Sequence, residues 1–195
     1  MKYLKISNQV EIENNAFHLI GACTKRSDST KIGFFGSGLK YAIAVLLREN
    51  IGFAVYSGKR KIPITYKPDT LRNQEFNVIY IDGQKTSMTT SMGPKWTFWQ
   101  AIREIYCNAL DEPGCKIEQI EDFNPVAGET AFYFCLHDND LLTDLLNKWD
   151  KYFAHKRPPV IDCEISKVYF PYEGKISIYR KDIRCFKSPY SGLYD

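Results

Sequence analysis

Long apolar runs are missing from this chain of 195 residues. Nothing in it approaches the roughly 18 consecutive apolar residues of a membrane-spanning helix. The opening "MKYLKISNQVE" lacks the apolar centre of a signal peptide. A reduced, cytoplasmic location without membrane contact is therefore expected. Blocks of one charge are equally scarce. The net charge is +3, from 26 basic and 23 acidic residues, and the densest run of like charge is Lys59-Arg60-Lys61. Basic residues interleave with tyrosines towards the C-terminus, as on many exposed hairpins, so nucleic acid is not expected as a partner. The cysteines Cys23, Cys107, Cys115, Cys135, Cys163 and Cys185 contain no Cys-x-x-Cys pair, and none stands at zinc-ligand spacing from a histidine. Free thiols, mostly buried among apolar neighbours, are the expectation. Internal repeats and low-complexity segments are absent too.

What is present is the composition of a folded globular protein, with 44% apolar and 14% aromatic residues. The length suits one sizeable domain. "KRPP" breaks the pattern at 156–159, which sets a main body at 1–157 and a β-hairpin extension of the same domain at 158–195. Leu39, Ala42, Ile43, Leu46 and Leu47 recur at helical spacing, with Ala44 and Val45 on the other side. This predicts a helix over about 38–49, buried nearly all round. "FAVYSGKRKIPITY" predicts a hairpin turning at Ser57-Gly58, and "EFNVIYIDG" a strand ending at Asp82-Gly83. "QKTSMTTSMGP" reads as a loop.

Thr97 with Gln100 three residues on is a capping-box pattern, so a helix should start there and stop at Pro113-Gly114. Its apolar stripe is Phe98, Ile102, Ile105 and Ala109. Gln100, Glu104, Asn108 and Asp111 share the other side. "TAFYFCLHD" predicts a buried strand. "NDLLTDLLNKWDKYF" predicts one amphipathic helix, with Leu142, Leu145, Leu146, Trp149 and Phe153 inward. Strands follow, with turns at Glu173-Gly174 and Lys181-Asp182. Hairpins too short for parallel crossovers, mixed with helices, give an α+β fold with an antiparallel or mixed sheet and helices on one face.

Two segments carry chemistry. In "IGFFGSGLK", Gly33, Gly36 and Gly38 lead straight into a helix N-terminus, whose amide groups can cradle phosphate oxygens. Lys40 and Lys25 are candidate countercharges. The same glycines would serve a tight turn with no ligand. In "REIYCNALDE", Glu104 and Asn108 stand one helical turn apart on one side. A carboxylate can take a proton from an attacking water, and an amide oxygen can ligate Mg²⁺. A solvated polar face would look alike.

"REIYCNALDE" resembles the N-box of the Bergerat-fold ATPases, the superfamily of gyrase, Hsp90, histidine kinases and MutL, whose pattern is Glu-x-x-x-Asn-Ala-x-Asp. The segment from Leu19 to Leu47 resembles that superfamily's approach to its second glycine box, Gly-x-x-Gly-x-Gly-Leu/Phe-Lys. Together the two segments are also similar to phage- and bacterium-encoded Hsp90-like ATP-binding proteins. The resemblance covers roughly 40 residues. It implies a nucleotide-binding domain over 1–157 with a Bergerat-like sandwich, ATP and Mg²⁺ as cofactors, and a homodimer or a larger protein as partner. Glu104 would polarise the attacking water and Asn108 would hold Mg²⁺. Asp111 would line the base or ribose side, and Gly33, Gly36, Gly38 and Leu39 would form the phosphate loop with Lys40 or Lys25. The glycine box here precedes the N-box by some 65 residues, the reverse of the usual order, so the resemblance implies a circular permutation. The first glycine box, Asp-x-Gly-x-Gly, is absent. Its adenine contacts would fall to Asn8 and Glu11, or to Glu13-Asn14-Asn15. Alternatives are a catalytically inactive interaction module on that scaffold, such as a phage factor acting on a host protein, and an unrelated α+β protein.

Overall fold

The computed structural model describes residues 2–19, 21, 31–32, 36–137, 140–154, 157–164 and 166–194. It divides into two compact units, Met1–Asn139 and Asp140–Asp195.

The first unit runs β1 (Tyr3–Asn8), α1 (Asn15–His18), α2 (Gly38–Arg48), β2 (Phe53–Ser57), β3 (Arg60–Ile62), β4 (Ile64–Leu71), β5 (Gln74–Ile81), β6 (Gln84–Thr89), α3 (Phe98–Leu110), β7 (Lys116–Ile120) and β8 (Thr130–Cys135). Five strands pair in the order β3-β2-β8-β1-β7, antiparallel throughout. The strands β4-β5-β6 form a second antiparallel sheet. The class is α+β.

Alternation explains the large sheet. Leu4 and Ile6 stand opposite Phe134 and Phe132, and Val55 opposite Phe132, which makes one face continuously apolar. The other face is mixed. Lys5 stands opposite Tyr133, and the rings of Tyr3, Tyr56 and Tyr133 surround Phe123 at 4.4, 6.2 and 4.7 Å. Lys5 is tolerated inside because its ammonium lies 2.7 Å from the Glu129 carboxylate. Burial and then the same Glu129 push the Tyr133 hydroxyl up to about 12.

In the smaller sheet, Arg72 and Asn73 have φ 50° and 62°, and Asp82 and Gly83 have φ 52° and 76°. Both pairs are two-residue turns of the kind that match strand twist. The stretch expected as a loop after Gly83 is in fact strand β6 for its first six residues. It hides its period of two because its inward residues are only Thr86 and Met88.

Helix α2 is buried on both sides, as its composition requires. Helix α3 starts where Thr97 donates its amide to Gln100 Oε1 at 2.7 Å. It packs against α2 and against β1. Arg48, in the last turn of α2, donates to the carbonyls of Thr90, Met92, Gly93 and Trp96 at 2.9, 3.0, 3.3 and 3.2 Å. One guanidinium thus fixes the segment that delivers the chain to Thr97.

The second unit contains α4 (Asp140–Asn147), α5 (Trp149–Tyr152), β9 (Ile161–Cys163), β10 (Ser166–Val168), β11 (Lys175–Arg180) and β12 (Ile183–Ser191). The helix expected across 139–153 breaks at Lys148, whose backbone (φ −106°, ψ 19°) leaves the helical region. After the break Trp149 and Phe153 stack at 4.2 Å, and Phe153 bridges to Ile183. The helical pair therefore belongs with the C-terminal strands, and the division between units falls at 139/140 while "KRPP" lies inside the second unit. Of the described cysteines, Cys107 is buried but Cys163 and Cys185 are exposed, against the expectation that most are buried. Among the described residues no helix is long and apolar enough to cross a membrane.

Replacing Arg48 by Met strips four carbonyls of a charged donor, and the expected loss is about 2 kcal/mol of stability in urea denaturation. A loss under about 0.5 kcal/mol, the ordinary range of a surface substitution, would contradict the clamp.

Candidate functional site

The two chemistry-bearing segments meet. A Cβ placed on Gly38 would fall on Oε2 of Glu104, so glycine lets this carboxylate lie against the α2 N-terminus. Further along α3 the Asp111 carboxylate, fully buried, accepts the Ile32 amide at 2.7 Å, and the Lys31 ammonium donates to the Asp111 carbonyl. Ile32 and Gly38 thus contact Asp111 and Glu104 respectively.

The α2 N-terminus has no side-chain cap and no acidic residue in its first turn. Its unpaired amides and dipole favour an anion. Lys40 sits there with 4% of its surface exposed, its ammonium donating to the Gly36 carbonyl at 2.9 Å. Among the described residues no carboxylate pairs with it. Burial holds this ammonium below its ordinary value of 10.5. A buried cation facing a helix N-terminus is an electrostatic arrangement that a phosphate would complete.

Glu104 accepts from Arg103 Nη2 at 2.6 Å and Nε at 3.1 Å. The Arg103 guanidinium lies over the rings of Trp96 and Trp99 at 5.7 and 5.3 Å. Asn108 Nδ2 donates back to the Glu104 carbonyl at 2.8 Å, which turns the amide along the helix and leaves Oδ1 as its acceptor end.

Other candidates lie apart from this cluster. Asn8 uses Oδ1 to accept the Val10 amide at 3.0 Å, a local turn at the end of β1. Glu11 accepts the Gly128 amide at 2.7 Å and crowds Gly58. Each of these side chains thus has one oxygen engaged in joining loops. Asn14 is likewise bound to Asp82 and Arg60 at 3.0 and 2.7 Å. Asp111, expected beside a base or ribose, is sealed inside and works as an anchor. Gly33 and Lys25 lie outside the described residues. Arg103 and Lys31 were not among the sequence candidates. For Arg103 the signal was there, since Trp99 and Arg103 stand four apart on one helix face.

Among the described residues no three His, Cys, Asp or Glu side chains converge as a metal site. A hard divalent cation would have to be held by Asn108 Oδ1 together with ligand phosphates, which is how Mg²⁺ is commonly bound.

The lowered value at Lys40 has a signed consequence. Below its folded value the protein bears the full cost of the buried charge. Between that value and 10.5 the unfolded chain binds the extra proton, so this contribution to stability rises with pH. Lys40→Met should therefore be at least as stable as wild type at about pH 8, and wild type should gain on it as the pH approaches 10.5 in urea titrations. A constant difference across that window would contradict the assignment.

Compared with known proteins, the chain matches no family model, no curated protein and no solved structure.

Proposed function

We propose that this chain binds Mg-ATP between the Gly36–Lys40 turn and the Glu104–Asn108 side of α3, and that it hydrolyses ATP as a Bergerat-type ATPase. The observation that carries the reading is the contact of Gly38 with Glu104 beside the buried, otherwise unneutralised Lys40. The α2 amides and Lys40 would take phosphate oxygens. Asn108 Oδ1 would hold Mg²⁺, which when bound supplies positive charge to the phosphates. Glu104 would orient and deprotonate the attacking water. Gly38 and Glu104 touch in this conformation, so a terminal phosphate needs them to part, and Arg103 has to release the carboxylate before it can act as a base.

A second reading, a nucleotide-binding module without turnover, is favoured by the engagement of Glu104 with Arg103 and of the Asn108 amide with the helix backbone. The two readings separate in one pair of assays. Mg-ATP at a hundredfold excess over its dissociation constant should stabilise the protein by about 2.7 kcal/mol in either case. Phosphate release should accompany it only in the first. Glu104→Ala should keep the stabilisation and lose about 10²–10⁴ in rate. Asn108→Ala should weaken Mg-ATP binding measured by calorimetry. No stabilisation of wild type by Mg-ATP would overturn both readings.

Gly38→Ala gives a sharper probe. The atoms a methyl would meet are the far end of the flexible Glu104 side chain, so the carboxylate swings aside while the helix keeps its packing. Stability should change by less than about 1 kcal/mol, and turnover should fall about tenfold or more. Unchanged turnover would detach Glu104 from the chemistry.

A further inference from the structure

On the polar side of α3, Gln100, Glu104 and Asn108 keep part of their surface in solvent, whereas Asp111 has none. A carboxylate is tolerated in such a place only with hydrogen-bond donors. One of its oxygens accepts the Ile32 amide at 2.7 Å, across 79 residues of chain. The neighbouring Lys31 holds the same point, since its ammonium donates to the Asp111 carbonyl. Asp111 therefore offers no exposed surface to a ligand, and what it grips is the segment that leads to the glycine turn.

The anchor point is itself fixed. Asp111 caps the C-terminus of α3. Just beyond it the Pro113 carbonyl accepts the Gln9 amide at 2.8 Å, and the Gln9 side chain lies where a Cβ of Gly114 would stand. Gln9 directly follows β1, which is paired on both sides within the five-stranded sheet. The connection thus runs from the sheet, through the end of α3, to Ile32. Ile32 stands four residues before Gly36, so the chain between them reaches at most about 14 Å. Holding Ile32 limits the positions that the Gly36–Lys40 turn can take before any phosphate arrives. Order that exists beforehand adds to affinity, because binding need not create it.

We infer that Asp111 is a positioning residue of the phosphate site: through the Ile32 amide it holds the approach to the Gly36–Lys40 turn, and its loss weakens phosphate binding although it touches no ligand. The inference rests on the Mg-ATP reading above. The test is calorimetry on the full chain with Mg-ATP and with Mg-tripolyphosphate, which has neither base nor ribose. Both should bind wild type. Asp111→Ala should weaken both by a common factor of about ten, at a temperature where circular dichroism shows the variant folded. Asp111→Asn keeps an oxygen for the Ile32 amide and should restore both affinities to the wild-type values, which a role for the charge itself would not allow. A loss confined to Mg-ATP would overturn the inference, since Asp111 would then contact base or ribose. Unchanged affinity in Asp111→Ala, an Asp111→Asn variant as weak as Asp111→Ala, or tripolyphosphate that does not bind wild type would overturn it too. Should Asp111→Ala fail to fold, Ile32→Pro removes the donor amide from the other side and should produce the same common factor; wild-type affinity there would count against the tether. Wild type that binds neither ligand defeats the Mg-ATP reading and the inference with it, whereas wild type that binds both and variants that match it defeat the inference alone.

Discussion

The packing of α2 against α3 is the constraint from which the rest of the first unit follows. Both helices need an apolar partner, since α2 is apolar on both sides and α3 has a single broad stripe. At the α2 N-terminus the Glu104 side chain can lie against the backbone because residue 38 has no side chain. The same approach puts the only glutamate of α3 beside a helix N-terminus that lacks a cap. In the proposed function, packing and chemistry coincide at this point. Arg48 at the other end of α2 holds the segment entering α3, so the helix pair is registered at both ends.

Electrostatics gives this contact its direction. Lys40 is buried without a carboxylate partner among the described residues, while Glu104 is shared with Arg103. A desolvated cation and a helix N-terminus both favour negative charge, and the carboxylate that lies against Gly38 at this N-terminus, that of Glu104, is already held by Arg103. An incoming phosphate would compete with Glu104 for that position and with it for Arg103. In the proposed function this competition couples ligand entry to release of the proposed base.

The two helices were legible in sequence because their signals are strong and local: apolar spacing, the Thr97–Gln100 box, and Pro113-Gly114 as a stop. Strand β8 was legible as an unbroken apolar run. Strand β6 was not, because "QKTSMT" turns only a threonine and a methionine inward. Strand β4 carries Pro68 and is exposed along most of its length, which gives no period to read. The break at Lys148 and the bridge of Phe153 to Ile183 are features that helix periodicity does not announce. At the site, sequence brought forward Glu104, Asn108, Gly36, Gly38 and Lys40, and of the two segments they stand on, Gly38 and Glu104 lie against each other. It could not foresee that Asn8, Glu11 and Asp111 each accept a backbone amide, because polar residues look the same in sequence whether they face a ligand or tie down a loop.

The central claim is that the glycine turn and the polar side of α3 form a single phosphate-binding place. Its most direct measurement is a titration of the ¹⁵N-labelled chain with a non-hydrolysable Mg-ATP analogue, followed by heteronuclear NMR. The account predicts that the backbone amides of Gly36, Ser37 and Gly38 and the side-chain amide of Asn108 shift together along one saturation curve. Shifts confined to other residues, or no shift in any of these four at saturating ligand, would contradict it.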